Sequence, residues 1–315
     1  MKNYSPYFGD IIVNDKINPI IVFTVGKVAS KTVTESIFAL ENIPYSIYHA
    51  HVLSPKILNF NDIDSQEKNF TATNDYLGFN LKLSKFVNEN LDNYQWKVIT
   101  LVREPLSIIL STFFEFLDIG RTLQDIHPEI FKNGKMDISY DEFCKFFNFK
   151  FAYMTGDYVI DWFNQEMKEV FKIDVYDYEF DHSKGYSIIK NKNVELLTIR
   201  LEDLDRVFAT SVSEFLGIKD IKMIKENIAD TRHYAKYLDF LKKKLNIQEF
   251  LSSHFYESRY ATHFYSKNEI LQFKEKWKSG DEITESEFLE FGINKENIFE
   301  GLELWDNETG LKTMT

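Results

Sequence analysis

Apolar and polar positions follow two different rhythms along this chain. "PIIVFTV" (19–25) is a continuous apolar run rich in β-branched residues, which predicts a strand buried on both faces. "YSIYHAHV" (45–52), "WKVITLV" (96–102) and "VELLTIR" (194–200) predict three more strands. Between them the period changes to that of a helix. Val33, Ile37 and Leu40 share one face of residues 30–40, and residues 76–91 are amphipathic at the same spacing. Residues 103–117 and the stretch after the fourth strand, "LEDLDRVFATSVSEFLGI", read as helices, and Pro105 suits a first helical turn. The order strand–helix, three times over, then helices, then strand–helix predicts an α/β fold. Its sheet is mainly parallel and flanked by helices, and a helical C-terminal extension begins near residue 222.

The same pattern sets the expected organisation. Residues 1–18 read as a loosely ordered lead-in, and 19–280 as one α/β domain with a helical, aromatic insertion around 120–180, where "TGDYVIDWFNQEMKEVF" is the clearest helix. Residues 281–315 form an acidic tail, ten carboxylates against Lys295 and Lys312, which reads first as a solvated face. With 315 residues, 44% of them hydrophobic, the chain can bury a sizeable core.

Composition narrows the partners. The net charge of −12 argues against a general nucleic-acid binder, and means that an anionic ligand must be caught by local cations and helix-start N–H groups. The one cysteine, Cys144, excludes an intramolecular disulfide framework and a cysteine-rich zinc site. No secretory leader and no membrane-length apolar run is visible, which points to the cytoplasm and leaves open a peripheral place at the inner face of a membrane. Oligomeric state is open.

Two stretches suggest chemistry. In "VGKVASKT" (25–32), Lys27, Lys31 and the hydroxyls of Ser30 and Thr32 follow the first strand, where a parallel sheet places its ligands and where helix-start N–H groups favour an anion. The nucleotide-triphosphatase signature G-x-x-x-x-G-K-[ST] is absent. In "VREPLSIILS", Arg103 ends the third strand and Ser111 follows a little over two helical turns later. The plain alternatives are an ordinary strand–helix turn and an arginine paired with Glu104. Together the two stretches suit a ligand with two separate phosphates, an adenosine bisphosphate.

At these residues the chain resembles the sulfotransferases that use 3′-phosphoadenosine 5′-phosphosulfate (PAPS). "VGKVASKT" looks like their 5′-phosphosulfate loop, "VITLVREPLSIILSTFF" like their 3′-phosphate element, and "LLTIRLEDL" like their late strand. "SRYATHFYSKNEILQFKEKW" (258–277) resembles a related bacterial group of capsular polysaccharide synthesis proteins. The resemblance implies a P-loop sulfotransferase-like fold, PAPS as donor, adenosine 3′,5′-bisphosphate as product and a carbohydrate acceptor. It implies that Lys27 stabilises the leaving oxygen, that Val28, Ala29, Ser30, Lys31 and Thr32 hold the 5′ phosphate, and that Arg103 and Ser111 hold the 3′ phosphate. It implies no metal.

Three departures stand beside it. Ala29 replaces a usual glycine and is tolerable only if its φ is not positive. Lys31 replaces a small residue. A late basic loop is not visible, and Arg232 or Arg259 is the candidate substitute. For the base, His49 and His51 share a strand face, with His51 preferred for its place at the carboxyl end and Glu104 as the alternative. Buried structural histidines are the plain alternative. Tyr153, Trp162, Tyr176 and Tyr178 could stack on sugar rings or belong to the core. A silent nucleotide-binding protein of polysaccharide assembly and an ATP-dependent P-loop kinase are the rival functions.

Overall fold

The computed structural model describes residues 5–7, 11, 18–40, 43–58, 76–118, 128, 131–132, 135–136, 152–219, 221–224, 247 and 249–278. Cys144, Arg232, most of the expected insertion before residue 152 and the acidic tail fall outside them.

The protein is α/β. Five strands, β1 (Asn18–Phe23), β2 (Tyr45–Ala50), β3 (Trp96–Val102), β6 (Tyr186–Asn191) and β7 (Val194–Arg200), form one sheet in the order β2-β1-β3-β7-β6. Pairings β1–β2, β1–β3 and β3–β7 are parallel, and β6 adds an antiparallel edge on β7. The four strands expected from the pattern are all present. The edge strand β6 was not foreseen. Its alternation is weak, and it joins β7 through the tight turn Lys192–Asn193, where Lys192 takes a left-handed φ of 52° without the glycine that would signal such a turn. A second hairpin, β4 (Phe131–Lys132) with β5 (Lys135–Met136), lies in the stretch that had read as wholly helical.

The parallel strands carry continuous apolar runs because both of their faces are covered. Ile20, Ile21, Val22 and Phe23 are fully buried, as are Val98, Ile99 and Val102 of β3 and Leu196, Leu197 and Ile199 of β7. Register is fixed by charge as well as packing. Lys97 and Glu195 are register partners across β3 and β7 and form an ion pair at 2.6 Å, and Lys190 of β6 reaches the same carboxylate at 2.9 Å.

The helices are α1 (Ser30–Phe38), α2 (Pro55–Leu58), α3 (Tyr76–Asn90), α4 (Pro105–Asp118), α5 (Ala152–Trp162), α6 (Leu204–Leu216), α7 (Glu249–Tyr256), α8 (Arg259–Phe264) and α9 (Lys267–Lys278). Helix α5 continues through a π-helical turn, Phe163–Lys168, into one last α-turn, Glu169–Phe171. The helices α7 to α9 agree with the expected helical C-terminal part. No helix among the described residues is long and apolar enough to cross a membrane.

The chain groups into two compact units. One comprises Met1–Arg103, Ile160–Asn227 and Thr262–Ser266, and holds the whole five-stranded sheet. The other comprises Glu104–Val159, Ile228–Ala261 and Lys267–Thr315. In the second unit Gly156 faces Phe255 so closely that a Cβ there would lie 2.1 Å from its ring, so only glycine lets the two helices approach. Two residues of the lead-in are docked in the first unit. The Pro6 carbonyl accepts from the His49 N–H at 2.9 Å on the outer edge of β2, and Tyr7 donates its hydroxyl to Glu35 at 2.7 Å.

Candidate functional site

Strand β1 has β2 on one side and β3 on the other, so the chain turns to opposite sides of the sheet after β1 and after β2. The carboxyl ends of β1 and β3 therefore border a topological switch point, the place where open α/β sheets hold ligands. The loop leaving β1 has an unusual backbone. Lys27 has φ 65° and Ala29 has φ 61°, while Gly26 and Val28 between and before them are not positive. Alternating signs turn successive N–H groups toward one concave side, which is the geometry of an anion-binding nest. Helix α1 begins at once, with Ala29 at its N-cap and the first helical bond, from the Val33 N–H to the Ala29 carbonyl, at 3.3 Å. Alanine offers no side-chain cap, so the positive end of the helix meets the same concave side.

This corrects one expectation. Ala29 was to be tolerable only without a positive φ, and it sits in the left-handed region. A left-handed alanine costs about 1–2 kcal/mol. The cost is met by the surroundings. Val28 and Ser30 on either side are buried, and α1 is buried along Thr32, Val33, Thr34, Ser36 and Ile37.

Arg103 stands at the end of β3, and its Nη1 donates to the Lys27 carbonyl at 2.8 Å. The two stretches singled out in the sequence are thus joined by a hydrogen bond, and the guanidinium braces the loop it borders. Lys27 and Arg103 are half-buried, Lys31 is exposed, and Thr32 is buried. Ser30, at the first position of α1, is buried and shares a hydrogen bond of 2.9 Å with Nε2 of His49.

The two histidines lie side by side, ring centroids 4.6 Å apart, which agrees with one strand face. Their surroundings differ. His49 is buried, and burial together with the nearby His51 and Lys31 charges pushes its imidazole well below its ordinary value, so it is neutral at pH 7. His51 lies one residue past β2 and is half-buried. Its Nδ1 is 2.7 Å from the Thr24 carbonyl, which only accepts, so Nδ1 carries the hydrogen and Nε2 is the basic atom of the neutral ring.

Glu104 and Ser111 belong to the second unit. Glu104 is 2% exposed and caps α4: its carboxylate accepts from the Leu106 N–H at 2.9 Å, the Ser107 N–H at 2.8 Å, the Ser107 hydroxyl and the Tyr256 hydroxyl. Four donors on one buried carboxylate describe a helix cap more than a base. The Ser111 hydroxyl donates back to the Ser107 carbonyl at 2.7 Å. Arg259 is exposed at the start of α8. Of the aromatic candidates, Trp162 is buried in the core and Tyr178 is exposed. No cluster of metal ligands occurs among the described residues.

Sequence reasoning missed the residues that hold the site in place. Thr24, Glu166 and Ser84 carried no motif, and Trp162 stood out only as an aromatic of the sugar-stacking or core kind, of which the structure shows the core. The one available signal was Glu166, which falls on the apolar stripe formed by Trp162, Phe163, Met167 and Val170. Arg200, at the carboxyl end of β7, is also structural. It is 4% exposed, pairs with Asp203, and donates to the His182 carbonyl at 2.9 Å. A kinase would need a magnesium-binding carboxylate where this arginine stands.

Residues 135–266 match the model of a family described as "Putative capsular polysaccharide synthesis protein". No curated protein and no solved structure matches the chain. The matched residues include β6, β7, α6 and the π-helical turn, and they exclude the loop after β1, His51 and Arg103.

Proposed function

We propose that this protein is a sulfotransferase that takes PAPS as donor and a hydroxyl or amine of a carbohydrate as acceptor, in the making of a capsular or other surface polysaccharide. The observation that carries the reading is the sign-alternating backbone of residues 26–30 at the switch point of a parallel sheet, with α1 starting from it and Arg103 bound to it. Such a loop fits a terminal phosphate or phosphosulfate. The family matched by residues 135–266 supports the acceptor class.

The donor supplies an activated sulfuryl group on a phosphate leaving group. The N–H groups of residues 29–32, with the hydroxyls of Ser30 and Thr32, hold the 5′ phosphate. Lys27 offsets the negative charge that grows on the bridging oxygen as its bond to sulfur breaks. Arg103 holds the 3′ phosphate. Nε2 of His51 takes the proton from the acceptor hydroxyl as the new oxygen–sulfur bond forms. The products are a sulfate ester, adenosine 3′,5′-bisphosphate and the proton on His51.

Titration calorimetry with adenosine 3′,5′-bisphosphate and with ATP–Mg²⁺, followed by transfer from radiolabelled PAPS to a panel of capsular glycans, tests the reading. Bisphosphate binding with transfer to a glycan is the expected result. Tighter binding of ATP–Mg²⁺ would point to the kinase, and bisphosphate binding without any transfer to a silent assembly role.

A further inference from the structure

The segment that leaves β2 is held from a distance. Glu166 is fully buried, and its Oε2 accepts from two successive backbone N–H groups, Leu53 at 2.9 Å and Ser54 at 2.8 Å. A carboxylate taken entirely out of water is costly, and charge-assisted bonds of this kind are what offset the cost. One turn earlier, Nε1 of Trp162 donates to the His51 carbonyl at 3.2 Å. The Leu53 carbonyl accepts from the hydroxyl of Ser84 on α3, and the Leu53 side chain is fully buried.

Both distant anchors come from one irregular stretch. Trp162 ends α5 and Glu166 lies within the π-helical turn that follows it. A π-turn inserts an extra residue into each hydrogen-bonded ring and so re-aims the side chains beyond it, and such turns are frequent at functional sites. Trp162 is itself fixed against Phe23 of β1, ring centroids 4.8 Å apart. The stretch therefore links the sheet to residues 51–54 by one rigid element, and it lies inside the residues that match the capsular family while His51 does not.

We infer that the π-helical turn is a positioning device for His51, with Glu166 and Trp162 as positioning residues that hold residues 51–54 so that the His51 ring stays on Thr24 with Nε2 turned to the acceptor. The inference rests on the proposed transfer reaction for its kinetic consequence, and on the geometry alone for its effect on the ring. Removing the anchors lets residues 51–54 relax. The Nδ1 hydrogen bond of His51 to Thr24 is then made only part of the time. Binding of the nucleotide at the loop after β1 is untouched, since that loop has its own supports.

The test uses the full chain with Glu166→Gln and Trp162→Phe. Glutamine keeps one oxygen for the two N–H groups but loses the charge, and phenylalanine keeps an aromatic ring beside Phe23 but loses the donor to His51 and part of the buried volume, so circular dichroism first checks that each variant is folded. Two-dimensional NMR of the histidine rings across pH reads the tautomer and titration of His51, and amide exchange reads Leu53 and Ser54. Both variants should speed exchange at those two amides and shift the His51 titration. In the transfer assay kcat should fall, by up to about 10²-fold for a misplaced base, with bisphosphate affinity held and KM little changed. His51 titrating as in the parent in both variants, with unaltered exchange at Leu53 and Ser54, would overturn the inference. If the parent transfers nothing, the proposed reaction falls, and the ring and amide measurements still decide the positioning claim.

Discussion

Residues 24–30, which leave β1, are shaped mainly by their own backbone, two left-handed residues and a helix start, with Arg103, His49 and His51 bonded to Lys27, Ser30 and Thr24. Residues 51–54, which leave the neighbouring parallel strand β2, have no such signature. They are shaped by side chains that lie 113, 112 and 111 positions downstream. The first segment is stiff by local conformation and the second by long-range contact. The difference matches the proposed tasks. A loop that binds phosphate must present main-chain N–H groups, so its own φ and ψ are what matter. A segment that carries a base must aim one side chain, and that depends on what surrounds it.

The comparison is broken most severely at its two chemical ends. His51→Ala should lower single-turnover transfer by about 10²–10⁴-fold, the scale of a lost general base, and leave bisphosphate affinity unchanged. Normal turnover in that variant would move the base elsewhere. Lys27→Ala should lower the rate constant by about 10²–10³-fold, as loss of one charge-stabilising group does. Circular dichroism should remain that of the parent, because Lys27 lies in a loop, half-buried, and is not part of the apolar core.

Arg103→Ala separates bracing from ligand binding. Loss of a hydrogen bond to a charged group, about 1.5–3 kcal/mol, corresponds to roughly 10- to 150-fold weaker adenosine 3′,5′-bisphosphate. Adenosine 5′-phosphosulfate has no 3′ phosphate. It should lose only what the unbraced loop costs, about 0.5–1.5 kcal/mol. Calorimetry giving equal losses for both ligands would leave Arg103 with the brace at Lys27 and no 3′-phosphate role.

His49 couples the two segments through Ser30, and its protonation should show in stability. Its folded-state pKa is depressed by burial, while in the unfolded chain it returns toward 6.5. The unfolded state then takes up a proton that the folded state refuses. Stability from this group is therefore full above about pH 6.5 and is lost as pH falls below it, at no more than about 1.4 kcal/mol per pH unit. Urea unfolding between about pH 7.5 and 5.5 should show a smaller loss for His49→Gln than for the parent. Parallel losses in the two proteins would assign the dependence to other groups.

The smallest expected effect tests the backbone of the first segment. Glycine at position 29 removes the left-handed cost and adds chain entropy to the unfolded state, so Ala29→Gly should stabilise by roughly 0.5 kcal/mol. For a chain of this size that is a rise in Tm of about 1–2 °C by calorimetry. A fall in Tm would mean that the Ala29 methyl contributes more by packing than its φ costs.

The pattern of apolar runs determined the α/β class, the four parallel strands and the helix starts, because burial on two faces leaves a run of residues such as Ile20 to Phe23 no other place to go. It also brought Lys27 and Arg103 to notice as groups at strand ends. It did not disclose β6, whose strand period is weak and whose turn lacks glycine, nor the left-handed φ of Ala29, which an alanine does not advertise. Only the tertiary structure decided that Arg103 donates to the loop it borders, that Glu104 is spent on capping α4, and that His49 and His51 divide into a buried neutral ring and a half-buried one. Those choices depend on which atoms lie within 3 Å after the chain has closed on itself. Hydrophobic periodicity reports which face of an element is buried and is silent about what that face meets. Glu166 marks the limit most sharply. Its place on an apolar stripe was readable, but the two N–H groups that offset the cost of its burial come from residues more than 110 positions earlier in the chain.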